Sequence, residues 1–380
     1  MKIICISASQ VPSTTANSMQ VMKACQALAQ LNHAVHLLLP RPRQEEFPDE
    51  TWPRMAEFYG LQTPFRVERL PARPRWRMWD FSLAAVRRAR ALNADIVYAW
   101  PLQAAVFANL FRLPALLELH GPPEGKIGHH LFGDYLRLGG KKRLLPITQA
   151  LVDILEKSYR RKFKPGEVVV SPNGVDLERY QNLPSPHEAR KALGLGEAFS
   201  AGYTGHFYPG RGMNLLVELA RRFPAMQFTW VGGRPQDIDQ WKAQLAMQKI
   251  HNVTLPGFID NRRLPLYQAA MDVLLMPYER QISGSSGGNS ADYCSPMKMF
   301  EYMACNRAII SSDLPVIREV LNETNSVLCP PEDNQAWAQA LERLAADEKA
   351  RNELGGCALR DAQRFTWLKR AQNALADWDA

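Results

Sequence analysis

Apolar positions along the chain fall into short runs separated by polar loops and amphipathic stretches. Ile3-Ile4-Cys5-Ile6 opens with a buried-strand pattern, and residues 7–18 follow as a Ser/Thr/Pro-rich loop. Over residues 19–31 the apolar side chains Met19, Met22, Leu28 and Leu31 recur at helical spacing, and residues 35–39 are again a strand run. Strand, loop, helix and strand make a unit that feeds a parallel sheet. The alternation continues through residues 95–98, 115–119 and 168–170.

Around Asn173-Gly174 the pattern restarts. Residues 200–205 read as a strand entering a glycine loop, and residues 213–222 as an amphipathic helix. Further strands are predicted at 227–231, 253–255, 273–276, 308–310 and 327–328, with a helix at 298–304. The predicted fold is α/β, with two Rossmann-like doubly wound domains at 1–172 and 173–362, a linker near 171–190 and a ligand cleft between them. A Gly/Ser-rich stretch from Gln281 to Ser290 reads either as an active-site flap or as an ordinary surface loop.

Composition adds a charge asymmetry to this picture. The chain has 380 residues and a net charge of +8, and 22% of its residues are charged, which excludes a disordered chain and a membrane bundle. Residues 1–175 hold 24 Lys/Arg against 14 Asp/Glu, an excess of +10, so the remainder carries −2. Eight arginines fall within residues 66–90, interleaved with Trp76, Trp79 and Phe81, and further cations stand at 141–143 and 160–164. Basic residues beside tryptophan suit an anionic membrane surface. Nucleic acid is the weaker alternative, because no nucleic-acid-binding motif presents the arginines, and an unpartnered basic face is the third. The six cysteines form no C-x-x-C pair, which predicts reduced thiols in a cytoplasmic protein and neither a disulfide framework nor a zinc site. No run approaches the ~20 apolar residues of a spanning helix, and the N-terminus lacks the apolar core of a signal peptide.

Four segments could carry chemistry. The loop containing Thr15, Ala16, Asn17 and Ser18 precedes a helix, which suits an anion, or simply a cap by Asn17 or Ser18. It lacks G-x-G-x-x-G, which speaks against a nicotinamide enzyme. Gly205, His206, Gly210, Arg211 and Gly212 combine glycine turns with cations before a helix, as a diphosphate requires, although Pro-Gly-Arg-Gly also suits a plain turn. His120 ends a buried strand before a glycine turn, a place where α/β proteins put ligands, and also one where a structural histidine sits. Lys298 and Glu301 lie one turn apart after Pro296, suiting a phosphate and a ribose, or an exposed ion pair.

Together these segments resemble the family 4 glycosyltransferases. "SPNGVDLERY", "YTGHFYPGRGMNLLVELA", "NVTLPGFID", "LPLYQAAMDVLLMPY", "SPMKMFEYMA" and "AIISSDLPVIREVL" are similar to the nucleotide-binding half of that family. "ANSMQVMKACQALAQLNHAVHLL" and "LELHGPP" are similar to its first domain. The resemblance implies a GT-B fold with the two domains facing across a cleft and the last helix, about 363–380, packing back on the first. It implies a retaining, metal-independent sugar transfer from a nucleotide diphosphate donor, UDP or GDP not decided, to a hydroxyl acceptor, sugar- or lipid-linked. No cofactor is expected beyond the nucleotide sugar, and no nucleic acid partner. A non-catalytic sugar-nucleotide-binding protein and a sugar epimerase are the alternatives.

The resemblance also assigns roles. Glu301 matches the ribose ligand that ends the family's E-x7-E element, and Tyr293 stands where its first Glu would be, a departure. Ser295, Pro296 and Met297 belong to the same donor-binding element. Arg211 matches the usual Lys of the diphosphate-binding pair, while His206 takes the slot of the usual Arg. His120 matches the residue contacting the donor sugar, and Gly257 and Phe258 the segment reading the base. His120, Arg211 and Lys298 are the expected catalytic residues, with the acceptor attacking from the face that the diphosphate leaves.

Overall fold

The computed structural model describes residues 1–41, 51–76, 78–283 and 289–378. Two compact units emerge, Met1–Asn173 with Trp367–Ala380, and Gly174–Thr366. Half of the Gly/Ser-rich stretch read as a flap or a surface loop, 284–288, lies outside the described residues, as does Arg77 in the basic segment.

The first unit is built on β1 (Lys2–Ile6), β2 (Ala34–Pro40), β3 (Arg66–Leu70), β4 (Ile96–Ala99), β5 (Ala115–Leu119) and β6 (Lys142–Pro146). They pair in parallel in the order β3-β2-β1-β4-β5-β6. The second unit repeats the plan with β7 (Ser200–Thr204), β8 (Gln227–Val231), β9 (Val253–Gly257), β10 (Val273–Met276), β11 (Ala308–Ser312) and β12 (Val327–Cys329). Its order, β12-β11-β10-β7-β8-β9, is also all parallel. The central strands are buried along their whole length, so they read as unbroken apolar runs rather than alternating ones. The strand order reverses once in each sheet, at β1/β4 and at β7/β10. A crevice opens beyond the carboxyl ends of the strands at such a point, which is where this architecture takes ligands.

Several expectations change. Residues 168–170 are not a strand: Val168 makes only isolated bridges, to Leu144 and Pro165, because the turn at Pro165-Gly166 breaks the run. The edge strand there is β6, masked in the sequence by Lys142 and Arg143. β3 was also hidden, because RVERL alternates with charge and is only half-buried. The helix expected at 19–31 runs Ala16–Gln30, capped by Thr15, whose side chain accepts from the Ser18 backbone N–H, rather than by Asn17 or Ser18. The stretch 171–190 is more than a linker. It contains a turn at Leu177–Tyr180 and starts the helix Pro186–Leu193, which a Ser185/Glu188 capping box begins.

The helix Trp367–Leu375 belongs to the first unit. Arg370 on it donates to the carbonyls of Ser171 and Pro172. Arg143 reaches the helix end at the carbonyls of Ala374 and Ala376, 2.8 and 2.7 Å away. The core of the second unit gathers around the fully buried Trp230 and Trp337.

Candidate active site

In the second unit β7 runs straight into Gly205, whose φ of +135° bends the chain over the sheet end. A Cβ there would stand 2.7 Å from the Lys298 Nζ, so glycine makes room for that ammonium. Lys298 lies in the first turn of the helix Met297–Ala304, which Pro296 starts. Its Nζ sits 3.7 Å from the centre of the Tyr203 ring and 5.5 Å from that of Tyr278. It is shut off from solvent and has no hydrogen-bond partner among the described residues. Burial, together with the neighbouring Arg211, pushes its pKa well below the ordinary lysine value.

Arg211 arrives from the turn that follows β7. Gly210 and Gly212 hold φ of +84° and +70°, and a Cβ on either would come within 1.9 Å of a carbonyl oxygen, of Gln281 and Pro277 respectively. The guanidinium lies 4.7 Å from the Tyr278 ring and donates to the Ser283 carbonyl. Two cations therefore stand at the β7/β10 reversal beside a helix N-terminus, and the Glu301 carboxylate, one turn along, acts on Lys298 electrostatically without a hydrogen bond to its ammonium.

Glu301 is held from outside. Gln268 donates to it at 3.3 Å, and Tyr180 in turn donates to the Gln268 carbonyl at 2.9 Å. Tyr302 accepts the Thr204 backbone N–H at 2.8 Å, tying the same helix to the end of β7. The His206 ring stacks on Tyr208 at 4.7 Å. The carbonyl of Gly257, at the end of β9, accepts from Gly232, and the next residue, Phe258, is 40% exposed.

The first unit has its own polar centre at the end of β5. Glu118 and His120 are two apart and so project to one face, with the His120 Nε2 2.6 Å from Glu118 Oε1. Two adjoining cavities, about 380 and 310 Å³, share Trp100, Glu118 and His120. Glu124 and Trp79 also line the larger, Asn17 and Gln20 the smaller. Among the described residues neither is lined by a Lys or Arg. Burial raises the Glu118 pKa, but Arg370, 2.7 Å away, and then His120 outweigh it and hold the carboxyl at about 2.

Residues 18–179 match the family described as Glycosyltransferase Family 4, and residues 198–347 match that described as Glycosyl transferases group 1. The chain belongs to the family 4 glycosyltransferases. D-inositol 3-phosphate glycosyltransferase of Saccharomonospora viridis is 29% identical over 62% of the chain and 54% of its own length. Phosphatidyl-myo-inositol mannosyltransferase of Mycolicibacterium smegmatis is 25% identical over 58% and 54%. The chain thus spans about half the length of these curated relatives. Among solved structures, Anabaena HepE in complex with UDP is similar in fold, with a TM-score of 0.75, 18% identity and the whole of both chains covered. Sucrose-phosphate synthase of Thermosynechococcus elongatus gives 0.74 and 20% over 97% of this chain and 96% of its own.

Against the family pattern, the structure brings Gly205, Gly210, Arg211, Gly212 and Lys298 to one sheet end. Glu301 faces the Gln268 bridge, and Ser295 is buried just before Pro296 and Met297. The Tyr293 backbone N–H bonds the Ser290 carbonyl, and beside it burial pushes the Cys294 thiol up to about 12. Lys298 and Glu301 do not form the exposed pair that their spacing allows, since the ammonium is buried without a hydrogen bond among the described residues. Of Thr15, Ala16, Asn17 and Ser18, Asn17 lines the smaller of those two cavities in the first unit, while the Thr15 and Ser18 hydroxyls bond within the helix start.

The basic clusters divide by role. Lys142 caps the carbonyls of Tyr135, Leu136 and Leu138, and Arg143 binds the chain end, so the 141–143 cluster is structural. Arg161 and Lys162 pair with Glu167 and Glu156, and within 66–90 Arg88 pairs with Glu68. Arg73 and Arg75 remain exposed next to Trp76, which is 51% exposed. Among the described residues no helix is long and apolar enough to cross a membrane.

Proposed function

We propose that the protein is a retaining, metal-independent glycosyltransferase that moves a sugar from a nucleotide diphosphate donor to a hydroxyl acceptor. One observation carries this reading: the buried Lys298 ammonium, which has no hydrogen-bond partner among the described residues, beside Arg211 at the β7/β10 reversal. The Glu301 carboxylate, one turn along, attracts it without a hydrogen bond; a buried cation with no hydrogen-bonded anion costs several kcal/mol, and a fold retains one where an anionic ligand completes it. The diphosphate is that ligand. Lys298 and Arg211, with the Gly210 and Gly212 amides, stabilise the negative charge that grows on it as the sugar departs. Glu301, fixed by Gln268, takes the ribose hydroxyls. The acceptor attacks from the face that the diphosphate leaves, and the leaving phosphate oxygen takes its proton.

The first unit takes the acceptor. The carboxylates and tryptophans lining its cavities suit an uncharged, hydroxyl-bearing group, and they turn away the anionic one that overall charge suggested. The exposed Arg73, Arg75 and Trp76 then serve a different purpose, holding a cytoplasmic protein against an anionic membrane where lipid-linked acceptors reside. Incubation with UDP-, GDP- and ADP-sugars tests the proposal by release of the nucleoside diphosphate and the anomeric configuration of the product. Turnover of one donor with retention is expected. Binding of a donor without any turnover would favour the non-catalytic alternative, which the tyrosine at 293 also favours.

A further inference from the structure

Glu118 is a charged group buried in the middle of an apolar strand, and its side chain and that of Arg370 are 0% and 4% exposed. Each neighbour's part in its hydrogen bonds is fixed from outside. Trp100 Nε1, which only donates, bonds the Gln20 side-chain carbonyl at 2.9 Å, so the Gln20 amide NH2 is turned toward Glu118 and donates to Oε1. Arg370, also only a donor, bonds the Tyr98 hydroxyl oxygen at 3.2 Å, so the Tyr98 proton goes to Glu118 Oε2. Arg370 itself lies 2.7 Å from Oε1. Glu118 therefore receives a donor on each oxygen, from Gln20 and from Tyr98, faces the Arg370 guanidinium as its counter-charge and is an ionised carboxylate, able only to accept. The His120 Nε2, 2.6 Å from Oε1, must then carry a proton.

We propose that Glu118, held ionised by Arg370 of the C-terminal helix, is a positioning residue that fixes His120 as the Nε2–H tautomer. The ring then offers the cavity a hydrogen-bond acceptor at Nδ1, the match for a sugar hydroxyl and a mismatch for an anion. Only the identity of that ligand rests on the proposed function. The tautomer follows from side chains of this unit alone. Arg370 comes from the helix that closes the chain, so that helix sets the state of a residue at the mouth of two cavities that it does not line.

Histidine ring 15N–1H correlation spectra of the whole ligand-free chain at neutral pH test this, with H120Q assigning the signal. His120 should show a protonated Nε2 with a downfield, slowly exchanging proton, and a bare Nδ1. A proton on Nδ1, whether or not Nε2 also carries one, would overturn the proposal, and wild-type protein alone decides this. In E118L/R370M, which removes both charges together, the downfield signal should vanish and the ring nitrogens move toward a tautomer mixture. An unchanged ring signature in that folded variant would also overturn it. No step involves turnover, so a protein inactive on every nucleotide sugar would refute the functional reading and leave this one standing.

Discussion

Replacing Lys298 by methionine separates binding from stability. The thioether chain keeps the length and apolar contacts of the lysine stem and removes only the ammonium, which has no hydrogen bond among the described residues. Leaving a buried charged donor unsatisfied costs about 1–3 kcal/mol or more, and its face-on approach to Tyr203 returns up to about 2 kcal/mol. The net is a stabilisation of roughly 1 kcal/mol in Lys298→Met, or about 2–4 °C in the melting temperature of a unit of this size. The sign agrees with the depressed pKa of Lys298. A lysine whose folded pKa lies below its unfolded one penalises folding at neutral pH, and the penalty fades as pH rises from the folded pKa toward 10.5. Ligand binding goes the other way. Loss of one charged hydrogen bond to a phosphate costs about 1.5–3 kcal/mol, or roughly 10- to 100-fold in affinity. Calorimetric melting with and without saturating nucleoside diphosphate reads both effects. A variant that melts lower than the wild type while keeping the full ligand-induced rise would refute the reasoning.

Four further outcomes follow from the same geometry. Arg370→Met alone strands the Glu118 carboxylate in the interior and should cost about 3–5 kcal/mol in urea unfolding, most of it recovered in the E118L/R370M double variant. Because Glu118 is held at about 2, its contribution should be complete above the usual carboxylate pKa and be lost as pH falls from about 4.5 toward 2, visible as acid unfolding of the first unit that Glu118→Leu/Arg370→Met blunts. Glu301→Ala should weaken nucleotide-sugar binding by about 1–3 kcal/mol in titration calorimetry, with the fold intact by circular dichroism. Sedimentation with anionic vesicles should fall when Arg73 and Arg75 are both replaced by glutamine, and should vanish for wild type at high salt.

The fold was legible wherever strands are buried on both faces, since such strands are continuous apolar runs. β3 and β6 escaped because Arg66, Glu68, Lys142 and Arg143 interrupt theirs, and the ladder that makes them strands comes from neighbours distant in the sequence. The donor side was legible as residue types and spacing: Gly205, Arg211, Lys298 and Glu301 are all visible in order. What spacing could not show is that Lys298 lies under Tyr203 and Tyr278 and has no hydrogen-bond partner among the described residues, because that depends on β7 lying next to β10. The polar centre of the first unit was half visible. His120 stood out, and a glutamate inside an apolar strand two residues earlier was the available signal. Arg370 was not, since only the return of the last helix brings it to Glu118. The basic excess was read as a surface property, yet part of it caps helix ends and ties down the C-terminus.

The most direct test of the account is titration calorimetry of UDP, GDP and ADP against their monophosphates, on wild type and on Lys298→Met and Arg211→Ala. A diphosphate preference of about tenfold or more for one base is predicted in wild type, collapsing in both variants while monophosphate affinity stays unchanged. Equal affinity for mono- and diphosphates in the wild type would contradict the claim that these two cations form a diphosphate site.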